Sequence, residues 1–158
     1  MAEKPVMLVA VDESDHSFYA LEWTLDHFFP PNENHSFQLI VIHARVSPSL
    51  YVGMGGIGSG EFVTALNLDL KRSADRTIQK VKEMCSSKSL NDVPAEVHEG
   101  DPRNVLCEAI EKHQASILVV GSHGYGAVQR AVLGSVSDYC AHHGRCNVMI
   151  VKKPRLKH

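Results

Sequence analysis

The feature that most constrains this chain is the recurrence of short apolar runs with no polar alternation. Ile117-Leu118-Val119-Val120 is one and Pro5–Asp12 (PVMLVAVD) is another. A strand with one wet face alternates apolar and polar residues. A run that is apolar at every position suits a strand buried on both faces, as in a parallel sheet covered by helices. Phe37–Ala44 (FQLIVIHA) and Asn147–Lys152 (NVMIVK) read as the second and the last strand, while Pro94–Glu99 (PAEVHE) is short and polar enough for an edge strand.

Helical periodicity fills the gaps. Over Glu13–Phe29, Phe18, Leu21, Leu25 and Phe28 recur at spacings of three and four, with Ser14 as N-cap and an acid in the first turn. Trp23 and Phe29 widen that face toward the sheet, and Pro30-Pro31 stops the helix. Glu61–Cys85 carries Phe62, Leu66, Leu70, Ala74, Ile78, Val81 and Cys85 on one stripe. Asp101 caps a third helix with Pro102 in its first position, and Leu106, Ala109, Ile110 and His113 form its inner face. A fourth helix is predicted over Val136–His142, with Ser135 as its N-cap. Strand and helix alternate throughout, which argues an α/β fold with helices on both faces of a parallel sheet. At 158 residues this is one domain, 1–158.

The run ending at Val120 breaks into Gly121-Ser122-His123-Gly124, and Gly134-Ser135 comes later, before the fourth helix. Glycines let main-chain N–H groups approach an anion closely, and a helix N-terminus adds donors and a favourable dipole. The pattern is that of a phosphate cradle. In doubly wound sheets the ligand crevice lies where the winding direction reverses. With strand order 3-2-1-4-5, Asp12 and Gly121 flank that crevice. A second glycine cluster, Gly53-Met54-Gly55-Gly56-Ile57-Gly58, formally matches the dinucleotide fingerprint G-x-G-x-x-G. It stands too far from the preceding strand to act as one and reads instead as a flap within the long loop Arg45–Gly60.

Net charge is −2, so no global field favours nucleic acid. The N-terminus lacks the pattern of a signal peptide, and no apolar run reaches membrane-spanning length. Cys85, Cys107, Cys140 and Cys146 are accordingly expected as reduced thiols in a cytoplasmic protein with no membrane or nucleic-acid partner.

The spacing Gly121-x2-Gly124-x9-Gly134-Ser135, downstream of a strand ending in Asp12, resembles the ATP-binding subclass of the universal stress protein family. YALEWTLDHFF, VGSHGYGAVQRAVLGSVSDYCAHH and VMIVKKP are similar to its plant-type single-domain members, and the likeness runs from Val6 to Lys153. The resemblance implies a Rossmann-like three-layer αβα sandwich with five parallel strands, an adenine nucleotide (ATP or AMP) as ligand, a stress-response role and a homodimer. Carried over by position, it implies Asp12 at the ribose or adenine, and Ala10, Val11 and Ala44 around the base with Val120 beneath. The phosphates would lie on backbone N–H groups of Gly121, Gly124, Ser135 and Val136, with Gly134 allowing close approach, Ser135 adding its hydroxyl and Ser122 and His123 within the cradle. Arg130, in the intervening loop, is equally well read as a phosphate contact or as a solvated charge.

Asp12 could ligate Mg²⁺ through water beside the phosphates, and His123 is the nearest candidate base for hydrolysis. No lysine occurs between Gly121 and Val151, and no G-x4-G-K-[ST] motif is present, so binding with slow or no turnover is expected. A slow ATPase and a chaperone-like protein with a vestigial site remain the alternatives. Cys140, His143 and Cys146 lack a fourth converging donor for zinc, and a core cysteine with surface histidines explains the run. The last strand, Val148-Met149-Ile150-Val151, is apolar at a sheet edge, which suits self-pairing across a two-fold axis. Lys152, Lys153, Arg155 and Lys157 form a basic tail that guards this edge or, in the second reading, serves as a nuclear address.

Overall fold

The protein is described by a computed structural model covering residues 3–47, 60–122 and 129–154, with side chains omitted over 129–135. Five strands, β1 (Val6–Val11), β2 (Gln38–Arg45), β3 (Ala95–Glu99), β4 (Ile117–Gly121) and β5 (Asn147–Val151), form one sheet in the order β3-β2-β1-β4-β5. Every pairing is parallel. Among the described residues four helices connect them: α1 (Asp15–Phe28), α2 (Gly60–Ser87), α3 (Pro102–His113) and α4 (Gln129–His143). This is the Rossmann-like sandwich and strand order expected from sequence, with β3 and β5 at the edges.

The uniform apolarity of the strands is used on both faces. Along β1, Met7, Val9 and Val11 pack with Phe18, Leu21 and Leu25 of α1 and with Val81 and Cys85 of α2. The intervening Leu8 and Ala10 join Ile40, Ile42, Leu118 and Val120 against Val105, Leu106, Ala109 and Ile110 of α3 and Val136 and Cys140 of α4. Leu8, Leu118 and Leu106 are wholly buried, and each contributes about 1.5–3 kcal/mol by leaving water.

The caps at Ser14 and Asp101 form as predicted: Ser14 accepts from the Ser17 N–H, and Asp101 accepts from Arg103 with Pro102 starting α3. Trp23 is half-buried at the rim of the first layer, its ring stacked on His27 at 4.0 Å.

Two expectations are corrected. The apolar stripe of α2 is buried only in its second half, at Ala74, Thr77, Val81 and Cys85, whereas Phe62 is 48% exposed. The cause is length: the 28-residue helix spans about 42 Å, and the eight-residue β2 beneath it about 26 Å. The first half therefore overhangs the carboxyl end of the sheet. The fourth helix begins at Gln129, seven positions before the predicted Val136. Gln129–Leu133 is a run of acceptable helix formers, and Gly134 within a helix costs only about 1 kcal/mol. Ser135 is therefore an interior residue and not the N-cap, and Arg130 lies in the first turn of α4 and not in a loop.

Candidate functional site

The site is built at the carboxyl ends of β1 and β4. These strands pair only as far as Val9↔Val119. Beyond that point β1 stays paired with β2 to Val11↔His43, and β4 stays paired with β5 to Gly121↔Val151. The sheet thus parts along one seam, at its switch point, where a ligand crevice belongs.

On the β1 side, Asp12 is almost completely buried. Its Oδ1 accepts from the Ser14 N–H at 2.8 Å and from the Ser14 hydroxyl at 2.5 Å, the local turn that aspartate favours before a helix. The Asp12 N–H donates to Ser17 Oγ at 2.9 Å, and that hydroxyl lies within 3.1 Å of the Asp12 and Ser14 carbonyls. Strand end and helix start are one hydrogen-bonded unit. His43 Nδ1 lies 2.8 Å from the Val11 carbonyl and ties the end of β2 to the same unit.

On the β4 side, Gly121 has a reason that sequence reading missed. A Cβ placed there would lie 2.6 Å from the His16 carbonyl oxygen and 3.1 Å from the Ser17 nitrogen. The first turn of α1 is seated against the strand end, and only glycine admits it. The next residue, Ser122, is buried, with its Oγ 3.3 Å from His16 Nδ1.

The structure brings Ala10, Ala44, Val120 and Val136 into one layer, small side chains on the face covered by α3 and α4. It does not bring Val11 there: that side chain packs in the opposite layer, under α1. Gly134, Ser135 and Val136 fall inside α4, so the N–H groups of Ser135 and Val136 belong to the helix ladder rather than to its unpaired first turn. His123 and Gly124 lie outside the described residues, as does the Gly53–Gly58 cluster. His16, Ser17 and His43 are the residues that sequence reading overlooked. Their partners are supplied by the fold, and only Ser17, a hydroxyl three residues past the cap, carried a local signal.

Cys140 sits wholly buried beneath α3 with its sulfur 3.9 Å from that of Cys107, and burial pushes its thiol up to about 12. His143 stacks on Tyr139 at 4.0 Å, and His142 is exposed beside Asp138. Among the described residues no group of three histidine, cysteine or acidic side chains is placed to hold a metal ion. Nor is any helix among them long and apolar enough to cross a membrane.

The family model for the universal stress protein family matches residues 5–152. The chain belongs to the universal stress protein family. Among the family's curated members, Universal stress protein PHOS34 of Arabidopsis thaliana is 30% identical over 92% of this chain, and PHOS32 of the same plant 28% over 92%. The chain spans only 61% and 64% of the lengths of these two relatives. A universal stress protein of Arabidopsis thaliana crystallised with AMP bound superposes with a TM-score of 0.68 at 25% identity, covering 95% of this chain and 92% of its own.

Proposed function

We propose that this universal stress protein binds an adenine nucleotide, ATP or AMP, in the seam between β1 and β4, and acts as a regulatory protein rather than a fast enzyme. The observation that carries this reading is the seam itself: two strands that stop pairing while each stays paired on its other side, with Asp12 on one lip and Gly121-Ser122 on the other. The AMP found in the Arabidopsis relative supports the same chemistry. In this reading Asp12 meets the ribose, and Ala10, Ala44 and Val120 form a small-walled floor for the base. Gly121, Ser122, His123, Gly124 and Arg130 serve the phosphates, with the donors and dipole of α4's first turn behind them. Gly134, Ser135 and Val136 contribute through the helix they lie in. Mg²⁺ accompanies the phosphates when they number two or three, and the absence of lysine between Gly121 and Val151 argues for slow or no hydrolysis.

We also propose a homodimer through β5. It is an edge strand, and its Ile150 is 40% exposed, an apolar edge of the kind that self-pairing covers. The nucleotide reading is tested by denaturing the purified protein and chromatographing the supernatant, then titrating stripped protein with AMP, ADP and ATP by calorimetry. Co-purified adenine nucleotide or saturable binding is expected; neither being seen would sink it. Sedimentation at micromolar concentration tests the dimer, and a monomer there would refute it.

A further inference from the structure

His16 touches the end of β4 and the residue after it in two ways, although Gly121 and Ser122 lie 105 and 106 positions further along the sequence. Its carbonyl occupies the space that a side chain at Gly121 would need, 2.6 Å from the position of a Cβ. Its ring nitrogen Nδ1 lies 3.3 Å from the hydroxyl of Ser122, which is itself buried. The same turn of α1 is anchored to the other lip of the seam, because Ser17, the next residue, bonds the main chain of Asp12. One helical turn therefore spans both lips.

From this placement we propose that His16 is a positioning residue for the phosphoryl end of the nucleotide, acting through Ser122 rather than by touching ligand itself. The inference rests on the nucleotide reading above and adds to it the residue that sets the phosphate grip. The physical basis is pre-organisation. Main-chain N–H groups stabilise an anion in proportion to how well they are already aimed. A residue just past a strand end has lost its ladder on one side, since the β1–β4 pairing stops at Val9↔Val119. The His16 ring supplies a fixed partner there: with Nε2 carrying the proton, the Ser122 hydroxyl donates to Nδ1 and the serine backbone is held. A nucleoside without phosphate does not use that part of the site, so the effect of His16 is selective for the phosphorylated ligand.

The experiment compares AMP and adenosine affinities, by calorimetry, for the wild type, His16→Ala, His16→Asn, Ser122→Ala and the His16→Ala/Ser122→Ala double variant. A single hydrogen bond of ordinary strength predicts that His16→Ala and Ser122→Ala each weaken AMP about five- to tenfold. The double variant should be no worse than either alone, because the two residues share one interaction. His16→Asn, whose amide oxygen can stand where Nδ1 stood, should recover most of the loss, and adenosine binding should change less than about twofold. Amide exchange in ligand-free protein gives an independent readout: His16→Ala should speed exchange at Ser122 and leave Val119 unchanged. Equal weakening of AMP and adenosine, multiplicative losses in the double variant, or unchanged exchange at Ser122 would overturn the role of His16. Wild-type protein that binds neither ligand would instead remove the nucleotide reading and this inference with it.

Discussion

The two seams of β1 make an instructive pair. Toward β2 the strand is zipped over its whole length, Val6↔Gln38 to Val11↔His43, and the last rung is reinforced by His43 on the Val11 carbonyl. Toward β4 the pairing covers only Met7↔Ile117 to Val9↔Val119, and the strand ends beyond it are held by a helix start instead of a ladder. Both seams are lined by the same apolar residue types, so side-chain chemistry does not account for the difference. At the open seam α1 brings its first turn against β4, where Gly121 leaves room. The seam is opened by withdrawing backbone hydrogen bonds along one line and replacing them with side-chain and helix-terminus contacts.

The contrast can be broken most forcefully at Gly121. Gly121→Ala drives a methyl into the His16 carbonyl, a backbone atom that can yield only if α1 shifts. A loss of about 3 kcal/mol is expected, measured by the urea midpoint, and wild-type stability in this variant would show that the helix seat is soft. A smaller effect is expected at Ser17, whose hydroxyl bonds both the N–H and the carbonyl of Asp12. Ser17→Ala leaves the Asp12 N–H without that partner and should cost about 1–2 kcal/mol. An unchanged midpoint would mean that another group takes over.

The smallest effect lies away from both seams, at the β3 edge. Burial pushes the Glu96 carboxyl up, but the hydrogen bond with His98 and the nearby His113 and Lys112, whose nitrogens lie 3.0 and 3.6 Å from its oxygens, outweigh it and leave it below the ordinary range. A carboxyl held low in the folded state stabilises it above the ordinary value, here 4.5, and that contribution is lost as pH falls through the folded value. Glu96→Gln should therefore cost less than about 1 kcal/mol near neutrality, with the difference shrinking below pH 4.5. A gap that widened on acidification would reverse the sign and refute the assignment.

Most of the architecture was legible in the sequence because it is carried by local patterns. Apolar runs gave four of the strands and a short polar segment the edge strand β3, spacings of three and four gave α1 and α3, and Ser14 and Asp101 gave two of the helix starts. The overhang of α2 was not legible, since its stripe has the right spacing along its full length and only the shorter strands beneath decide how much is covered. The start of α4 was misread because Gly134-Ser135 is a good helix opening taken alone, while the five residues before it favour helix just as well. At the site, Asp12 and Gly121 were read as neighbours from strand order. The reason for Gly121 was only half seen, because the atom that excludes a side chain belongs to a residue 105 positions away. Contacts of that range leave no periodic trace.

The buried thiols carry a practical consequence. Cys140 and Cys85 are closed to solvent, and burial lifts them to about 12 and about 11, so both stay protonated at neutral pH. A thiol in that condition is a poor nucleophile. An alkylating reagent should therefore mark these two sites only in molecules whose helices have come away from the sheet. Their labelling rate is a native clock for opening of each layer, one cysteine per face, readable by mass without adding a probe.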